Sequence, residues 1–281
     1  MDGKNSLHAR AQLADIARGL MRKRRSFSGL AADYCHHDFL VREIDARMQE
    51  RLDFIRISPG RILDLGCSCG GSLPGLTQRY PAARRIGLDR APEMLKQIRD
   101  ADALVADAAA LPLAEASVDL IWSNLLLHWL AKPALALCET QRVLASGGLF
   151  MFSTLGPDTL KELRAAMPDH FEHTQKFADL HDWGDQLLSC GFTDPVVDRE
   201  DITLHYDSFA ALMAELRSGS ASCNAENRRR GLAGTSFWRQ VESAYARQEG
   251  KWPASFEVIY GHAWKMPTPA RANESPLRFY R

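Results

Sequence analysis

Three aspartates near predicted strand ends suggest a site for a nucleoside. Asp64 lies in the first predicted strand, Asp89 ends the second and Asp107 follows the third. Ligands of an open parallel sheet bind beyond the carboxyl ends of its strands. Asp89 is placed to accept hydrogen bonds from both hydroxyls of a ribose, and Asp107 to accept one from the exocyclic amine of an adenine. We predict that the three carboxylates share one ligand; unrelated solvated acids are the alternative.

Two glycines in the turn after the first strand are consistent with this site. Gly66 and Gly70 lack a Cβ atom, so the backbone of residues 64–70 can pass close to a ligand. A dinucleotide would favour the G-x-G-x-x-G pattern, which this turn lacks. An ordinary strand-to-helix turn explains the glycine pair alone equally well, so the prediction depends on the aspartates too.

Strand and helix patterns alternate from residue 61 onward, which predicts a parallel sheet covered by helices on both faces. The predicted strands comprise residues 61–65, 85–89, 103–106, 118–123, 149–154, 195–204 and 256–264. The predicted helices comprise residues 72–79, 92–99, 133–144, 157–166 and 179–190, the third of them ending at Gly147 and Gly148.

We expect a single domain over residues 1–281, since this length and 46% apolar residues suffice for one core. Residues 1–45 are predicted to form an N-terminal helical lid. Residues 46–204 and 255–266 form the ligand-binding core, and residues 205–254 form inserted helices because they are too many for a simple connection.

Composition limits the partners and the compartment. Lys and Arg number 35, as do Asp and Glu, so there is no overall charge to attract nucleic acid or an anionic membrane. No apolar run approaches the roughly 20 residues that span a bilayer. The six cysteines follow no secretory segment and are interpreted as reduced thiols of a cytoplasmic protein. The basic segment 1–30 suits a solvated helix better than a transit peptide. The Cys67–Cys69 pair has no second pair of cysteines at the spacing of a zinc site, so no metal is predicted.

Residues 61–154 resemble the class I S-adenosylmethionine-dependent methyltransferases, whose turn has the pattern D/E-x-G-x-G-x-G. The resemblance implies a Rossmann-like α/β fold with a seven-stranded, mostly parallel sheet, an antiparallel last strand and a helical lid insert. It also implies S-adenosylmethionine as cofactor. The implied cofactor residues are Asp64, Gly66 and Gly70 for the methionine part, Asp89 for the ribose, Asp107 and Ala108 for the adenine, and Asn124. The middle glycine of the family pattern is Ser68 here, which puts cofactor affinity in doubt.

Later segments resemble the malonyl-acyl-carrier-protein O-methyltransferases of biotin synthesis. The similarity lies in residues 152–164 (FSTLGPDTLKELR), 179–182 (DLHD), 223–225 (CNA) and 260–264 (YGHAW). It implies methylation of the free carboxylate of a malonyl thioester, carried on acyl carrier protein or coenzyme A. A carboxylate with a pKa near roughly 4 is already ionised at neutral pH, so no catalytic base is expected.

Substrate positioning is assigned to three residues. Arg164 is the first candidate for the malonyl carboxylate because a guanidinium can engage two oxygens; a solvated helix residue is the alternative. Tyr34 in the lid and His128 beside Trp129 are candidates for lining the pocket, although His128 suits a packed residue equally well. An acidic carrier would suit the basic residues Arg228, Arg229, Arg230, Arg239 and Lys251, for which a solvated face is an equal alternative.

Two other functions stay open at the level of sequence. The cofactor half of such a fold serves many acceptors, so a methyltransferase for another small molecule is one alternative. Leu127, His128 and Trp129 also occur in a similar setting in respiratory-complex assembly factors of related fold. A non-catalytic assembly factor that retains the fold is therefore the other alternative.

Overall fold

The computed structural model describes residues 39–218 and 234–266. Seven strands in these residues form one sheet, in the order β3-β2-β1-β4-β5-β7-β6. The strands are β1 (Arg61–Leu65), β2 (Arg84–Asp89), β3 (Asp102–Val105), β4 (Val118–Ser123), β5 (Leu144–Leu155), β6 (Phe192–Tyr206) and β7 (Trp252–Lys265). The α-helices are α1 (Phe39–Arg51), α2 (Leu73–Arg79), α3 (Pro92–Leu95), α4 (Pro133–Val143), α5 (Lys161–Ala166), α6 (Leu180–Ser189), α7 (Phe209–Ser218) and α8 (Thr235–Ala244).

The sheet is mostly parallel and ends in antiparallel strands. Strands β1 to β5 pair in parallel with their neighbours, whereas β7 is antiparallel to both β5 and β6. This confirms the predicted Rossmann-like α/β architecture with an antiparallel last strand. Strand β7 comes last along the chain but lies inside the sheet, between β5 and β6.

Both faces of the central strands are buried, as the continuous apolar runs of a parallel sheet require. On β4, Leu120 and Trp122 belong to one core and Ile121 to the other, in the alternation of a strand. The first core includes Ile44 of α1, and the second includes Trp183 of α6. Because helices cover both faces, a ligand can reach these strands only at their ends.

The predicted helix 157–166 is wrong over its first turn. Helix α5 begins at Lys161, because Leu160 has a left-handed backbone (φ 57°) that does not continue a helix. Residues 157–160 form a turn instead, and this turn bonds to β7: the Leu160 N–H donates to the Ser255 carbonyl at 2.6 Å.

Other predicted bounds shift by a few residues. The predicted helix 92–99 retains only Pro92–Leu95. Helix α4 ends at Val143 rather than at the glycines, and Gly147 (φ 73°) lies within β5, which starts at Leu144.

The region predicted as inserted helices is described only in part. It contains α7 and α8, whereas residues 219–233 lie outside the described residues. Its expected end at residue 254 is wrong, because β7 begins at Trp252. Residues 1–38, which carry most of the predicted lid, also lie outside the described residues, and α1 continues across the predicted lid boundary at residue 45.

Within residues 39–218 and 234–266, no helix is long and apolar enough to cross a membrane. The same residues contain no group of three or more His, Cys, Asp or Glu side chains that could hold a metal ion. Cys67, Cys138 and Cys190 are free thiols. Cys69 is in a disulfide, so the expectation of six reduced thiols is not met at this position.

Candidate functional site

A cavity lies at the carboxyl ends of β1, β2 and β4, and we call it the strand-end cavity. It brings together five of the residues predicted to bind cofactor. These are Gly66, Asp89, Asp107, Ala108 and Asn124. The rest of its lining is largely apolar and includes Leu88, Met94, Leu126, Trp129 and Leu130. A flat apolar group edged by hydroxyls therefore suits this cavity.

Asp89 is held in place by the backbone around it. Its carboxylate accepts hydrogen bonds from the N–H groups of Ser68 (3.0 Å) and Ala91 (2.8 Å). Burial raises the pKa of Asp89, and these bonds oppose that rise. Each carboxylate oxygen keeps a second lone pair, so Asp89 can still accept bonds from a ligand.

Asp107 lies on the other side of the same cavity. One of its oxygens accepts a bond from the Ala109 N–H at 3.0 Å, and the other lies 3.8 Å from Nε of Arg90. Arg90 and Ala108 also line the cavity. A short turn thus fixes the position of this carboxylate. A residue that recognises a base by hydrogen bonds to its edge needs such a fixed position.

The glycine turn has a different role at each of its three positions. Gly66 (φ 78°) lines the cavity, and a Cβ atom there would lie 2.8 Å from the Leu126 side chain. Gly70 (φ 81°) does not line the strand-end cavity; its added Cβ would meet Leu73 and Ile98 at 3.0 and 3.1 Å. Gly70 therefore serves the packing of the turn rather than a close approach to a ligand. Ser68 has a left-handed backbone (φ 50°), so the turn keeps a glycine-like shape without a glycine.

A second cavity, which we call the turn cavity, adjoins the first. Gly66, Ser68 and Asn124 line both cavities. Asp64 lines the turn cavity, is 1% exposed, and has one carboxylate oxygen with no hydrogen-bond partner among the described residues. Burial raises the pKa of Asp64 well above its ordinary value, and the charges of Asp45 and Asp89 raise it further.

Asp45 of α1 is a second, half-buried acid that lines the turn cavity. It accepts hydrogen bonds from Nε1 of Trp122 (2.9 Å) and from Nε2 of Gln49 (3.3 Å). Burial raises the pKa of Asp45, while bonds from Ser72, Trp122 and Gln49 oppose the rise. Two partly desolvated carboxylates thus line one cavity, which suits a cationic ligand.

The sequence analysis missed Asp45. The only available signal was the spacing of Leu40, Ile44 and Met48, whose side chains form the buried side of α1. That spacing predicts a helix packed on the sheet but does not show that Asp45 reaches Trp122.

Asn124 joins α1 to the sheet at the boundary of the two cavities. Its side-chain amide donates to the Val41 carbonyl of α1 at 2.9 Å, and its side-chain oxygen accepts from the Ser153 hydroxyl at 2.6 Å. The predicted site residue Asn124 therefore also positions the helix that carries Asp45.

His128 is buried beside the strand-end cavity but does not line it. Its ring lies 5.5 Å from that of Trp129, which does line the cavity, and 5.7 Å from that of Phe177. Its Nδ1 lies 3.3 Å from the Thr154 hydroxyl, and its carbonyl accepts a hydrogen bond from the Gln175 side chain. His128 thus separates the strand-end cavity from the segment that contains Gln175 and Phe177.

That segment lines a third cavity, which we call the loop cavity; its wall comprises Pro157, Arg164, Met167 and residues 169–177. Arg164 lines the loop cavity and lines neither the strand-end cavity nor the turn cavity. Its guanidinium donates to the carbonyls of Pro157 (2.7 Å) and Thr159 and so closes the turn before α5. The structure therefore places Arg164, the first candidate for the malonyl carboxylate, in the loop cavity, with its guanidinium folded back onto the turn that precedes α5.

The remaining predicted residues are only partly placed. Tyr34, Arg228, Arg229 and Arg230 lie outside the described residues. Arg239 and Lys251 are both exposed, and Lys251 lies 3.4 Å from Asp207.

Comparison with known proteins agrees with this geometry. Residues 63–152 match the family model described as a methyltransferase domain. The chain is 46% identical to the malonyl-[acyl-carrier protein] O-methyltransferase of Laribacter hongkongensis over 263 residues, which cover 87% of this chain and 89% of that protein. It is 45% identical to the protein of the same name from Methylovorus sp., covering 92% and 91%. Its fold matches a putative methyltransferase from Bacillus halodurans with a TM-score of 0.58 and 15% identity, covering 80% of this chain and 99% of that one.

Proposed function

The chain belongs to the malonyl-[acyl-carrier protein] O-methyltransferase family, and we propose that it transfers a methyl group from S-adenosylmethionine to the free carboxylate of a malonyl thioester in biotin synthesis. The observation that carries the proposal is that an apolar cavity edged by two carboxylates shares three lining residues with an adjoining acidic cavity. An adenosine suits the first, and a cationic amino-acid end suits the second.

The strand-end cavity fits the adenosine part of the cofactor. Asp89 accepts hydrogen bonds from the ribose hydroxyls, and Asp107 with Ala108 meets the adenine edge. The apolar residues Leu88, Met94 and Leu126 pack on the base. Because Asp89 and Asp107 are already held by backbone N–H groups, they need no rearrangement on binding.

The turn cavity fits the methionine part. The unpartnered oxygen of Asp64 is buried and negatively charged when ionised, and such a group is costly without a donor. A cationic ammonium supplies that donor. When bound, S-adenosylmethionine supplies an electrophilic methyl group attached to a positively charged sulfur.

The acceptor needs orientation rather than activation. A malonyl carboxylate is ionised at neutral pH, so it would take the methyl group while the sulfur kept the electrons of the broken bond, and the protein would need no base. The protein therefore has to align the carboxylate oxygen with the methyl group and to exclude water. We assign the loop cavity as the approach for the malonyl group, with Arg164 as the cation for its carboxylate and His128 at the passage to the strand-end cavity.

Two observations support the loop cavity as the approach for the malonyl group: the position of His128 and the pairing of the nearby acids. His128 packs between Trp129 of the strand-end cavity and Phe177 of the loop cavity. The acids of the loop cavity are engaged locally, Asp169 with His173 at 2.5 Å and Glu172 with Lys176 at 2.5 Å. An incoming carboxylate therefore meets acids whose charge is partly balanced.

The carrier of the thioester is inferred from the relatives and from the surface charge. The names of the relatives specify an acyl carrier protein, and the exposed Arg239 and Lys251 suit an acidic carrier surface. Coenzyme A is the alternative carrier of the same thioester.

A transfer assay tests the function. Purified protein is incubated with methyl-labelled S-adenosylmethionine and, in separate reactions, malonyl carrier protein, malonyl-coenzyme A and acetyl carrier protein. We expect label in a methyl ester with a malonyl substrate and none with the acetyl substrate, which has no free carboxylate. Saturable cofactor binding without transfer to either malonyl thioester would contradict the proposed acceptor, and absence of cofactor binding would contradict the whole proposal.

A further inference from the structure

Helix α1 lies outside the matched methyltransferase domain, yet it carries an acid into the cofactor site. We propose that Asp45 of α1 acts with Asp64 to bind the ammonium group at the amino-acid end of the cofactor. The inference rests on the proposed function, because it identifies which part of S-adenosylmethionine the turn cavity recognises.

The first support is the incomplete bonding of Asp64. This side chain is 1% exposed, lines the turn cavity, and has an oxygen without a partner among the described residues. Buried carboxylates are almost always hydrogen-bonded. An ammonium group has three donors and no acceptor, so it can satisfy Asp64 and bond to a second carboxylate at once.

The second support is the way Asp45 is held. Its bonds from Trp122 and Gln49 fix the carboxylate in the wall of the same cavity before any ligand arrives. Trp122 is fully buried in β4, and Asn124, at the end of that strand, bonds to α1 through Val41. Asp45 therefore has a defined position relative to Asp64 even though it comes from a separate helix.

The third support is the charge on the rest of α1 near the cavity. Arg42 also lines the turn cavity, three residues before Asp45 and on the same side of the helix. Helix α1 thus presents a cation and an anion to one cavity. The amino-acid end of the cofactor carries the complementary pair, an α-carboxylate and an ammonium.

A purely structural role for Asp45 makes a different prediction. Under that role, Asp45 only accepts the Trp122 N–H and anchors α1. Asp45→Asn keeps an oxygen that can accept this bond and removes the negative charge, so it separates anchoring from ligand recognition. Trp122→Phe removes the bond and keeps the charge.

The test compares ligands that have or lack the amino-acid end. Calorimetry measures binding of S-adenosylhomocysteine, which has the whole amino-acid end on an uncharged sulfur, its decarboxylated analogue, which keeps the ammonium, and 5′-methylthioadenosine, which has an uncharged sulfur and lacks the amino-acid end. We expect Asp45→Asn to weaken the first two at least tenfold, about 1.4 kcal/mol, and to leave 5′-methylthioadenosine unchanged. Glu43→Gln on the same helix, which removes a partner of Arg47 outside the cavity, is the matched control and should change none of the three.

Each outcome has a definite meaning. Equal weakening of all three ligands by Asp45→Asn, or no weakening of any, overturns the inference while leaving the proposed function intact. A wild-type protein that binds none of the ligands overturns the proposed function and this inference with it. The melting temperatures of the two variants show whether α1 has lost its anchoring to the sheet. The decrease in melting temperature should be larger for Trp122→Phe than for Asp45→Asn.

Discussion

The cofactor side and the acceptor side of the site differ in how their charged groups are satisfied. In the turn cavity, Asp64 is buried with an oxygen that lacks a partner among the described residues. In the loop cavity, Arg164 is engaged by two backbone carbonyls, and Asp169 pairs with His173. A buried carboxylate that lines a cavity and lacks a partner is suited to bind a ligand, whereas Arg164 and Asp169 already have partners. We infer that the cofactor site is prepared in advance and that acceptor binding must exchange existing contacts.

Removing Asp89 should give the largest effect on the cofactor side. Asp89→Ala loses a charge-assisted bond to the ribose, and we expect cofactor binding to weaken by about 1.5–3 kcal/mol. Calorimetry with S-adenosylmethionine measures this change. Asp102→Ala is the control, since Asp102 is an exposed acid bonded to Arg84 at the start of β3. Unchanged affinity in a folded Asp89→Ala protein would remove this acid from the site.

On the acceptor side, Arg164→Ala should lower methyl transfer at least tenfold, about 1.4 kcal/mol, and leave cofactor affinity nearly intact. Arg164→Lys should restore little of the methyl-transfer rate, because an ammonium group cannot donate the two parallel hydrogen bonds of a planar guanidinium. Rates are compared on malonyl carrier protein with cofactor saturating, with the exposed Arg84→Ala as control.

Two results would count against this role for Arg164. Equal rates in wild type and Arg164→Ala would leave His128 as the better candidate. A parallel loss of cofactor affinity would instead show that the turn closed by Pro157 and Thr159 had shifted.

The burial of Asp64 also predicts how the stability of the ligand-free protein depends on pH. The pKa of Asp64 is raised in the folded protein, mainly by burial, so the folded state holds this proton more tightly than the unfolded state. The resulting stability is greatest below the unfolded pKa of roughly 3.9 and is lost as the pH rises through the folded value. Asp64→Asn should therefore increase the free energy of unfolding of the ligand-free protein at neutral pH by an amount on the order of 1 kcal/mol, which raises the melting temperature, while weakening cofactor binding.

Asp119 supplies a control of opposite sign. Its bond from Arg61 lowers its pKa, so its contribution is present above the unfolded pKa and is lost as the pH falls. Asp119→Asn should lower the melting temperature at neutral pH. Melting curves between about pH 4 and pH 8 test both variants; a gain for Asp64→Asn that did not grow with pH would refute burial as its cause.

The smallest effect is expected at Ser68. Its left-handed backbone suits glycine, so Ser68→Gly should bind cofactor at least as well as wild type and gain less than about 1 kcal/mol of stability. Ala116→Gly relieves a similar backbone (φ 52°) on the exposed surface and should leave binding unchanged. Markedly weaker cofactor binding by Ser68→Gly would show that the serine side chain itself contacts the ligand.

The sequence was sufficient for features set by local pattern. The alternation of strands and helices predicted the sheet, and Asp64, Asp89 and Asp107 were assigned because parallel strands place their carboxyl ends at one edge. Features set by contacts between distant segments were not predictable. Nothing in the sequence indicates that Asp45 reaches Trp122, or that Leu160 adopts a backbone that shortens α5.

Strand β7 has a consequence for the order in which the molecule is completed. It is synthesised after the other six strands of the described sheet, yet it fills the space between β5 and β6. It also holds the turn before α5, because Glu257 of β7 accepts a bond from the Asp158 N–H at 2.7 Å. On the ribosome, the cofactor half can form its parallel strands early, while β5 keeps an open edge that could pair with another chain. The edge of β5 and the turn before α5 can therefore make these bonds only after β7 has emerged.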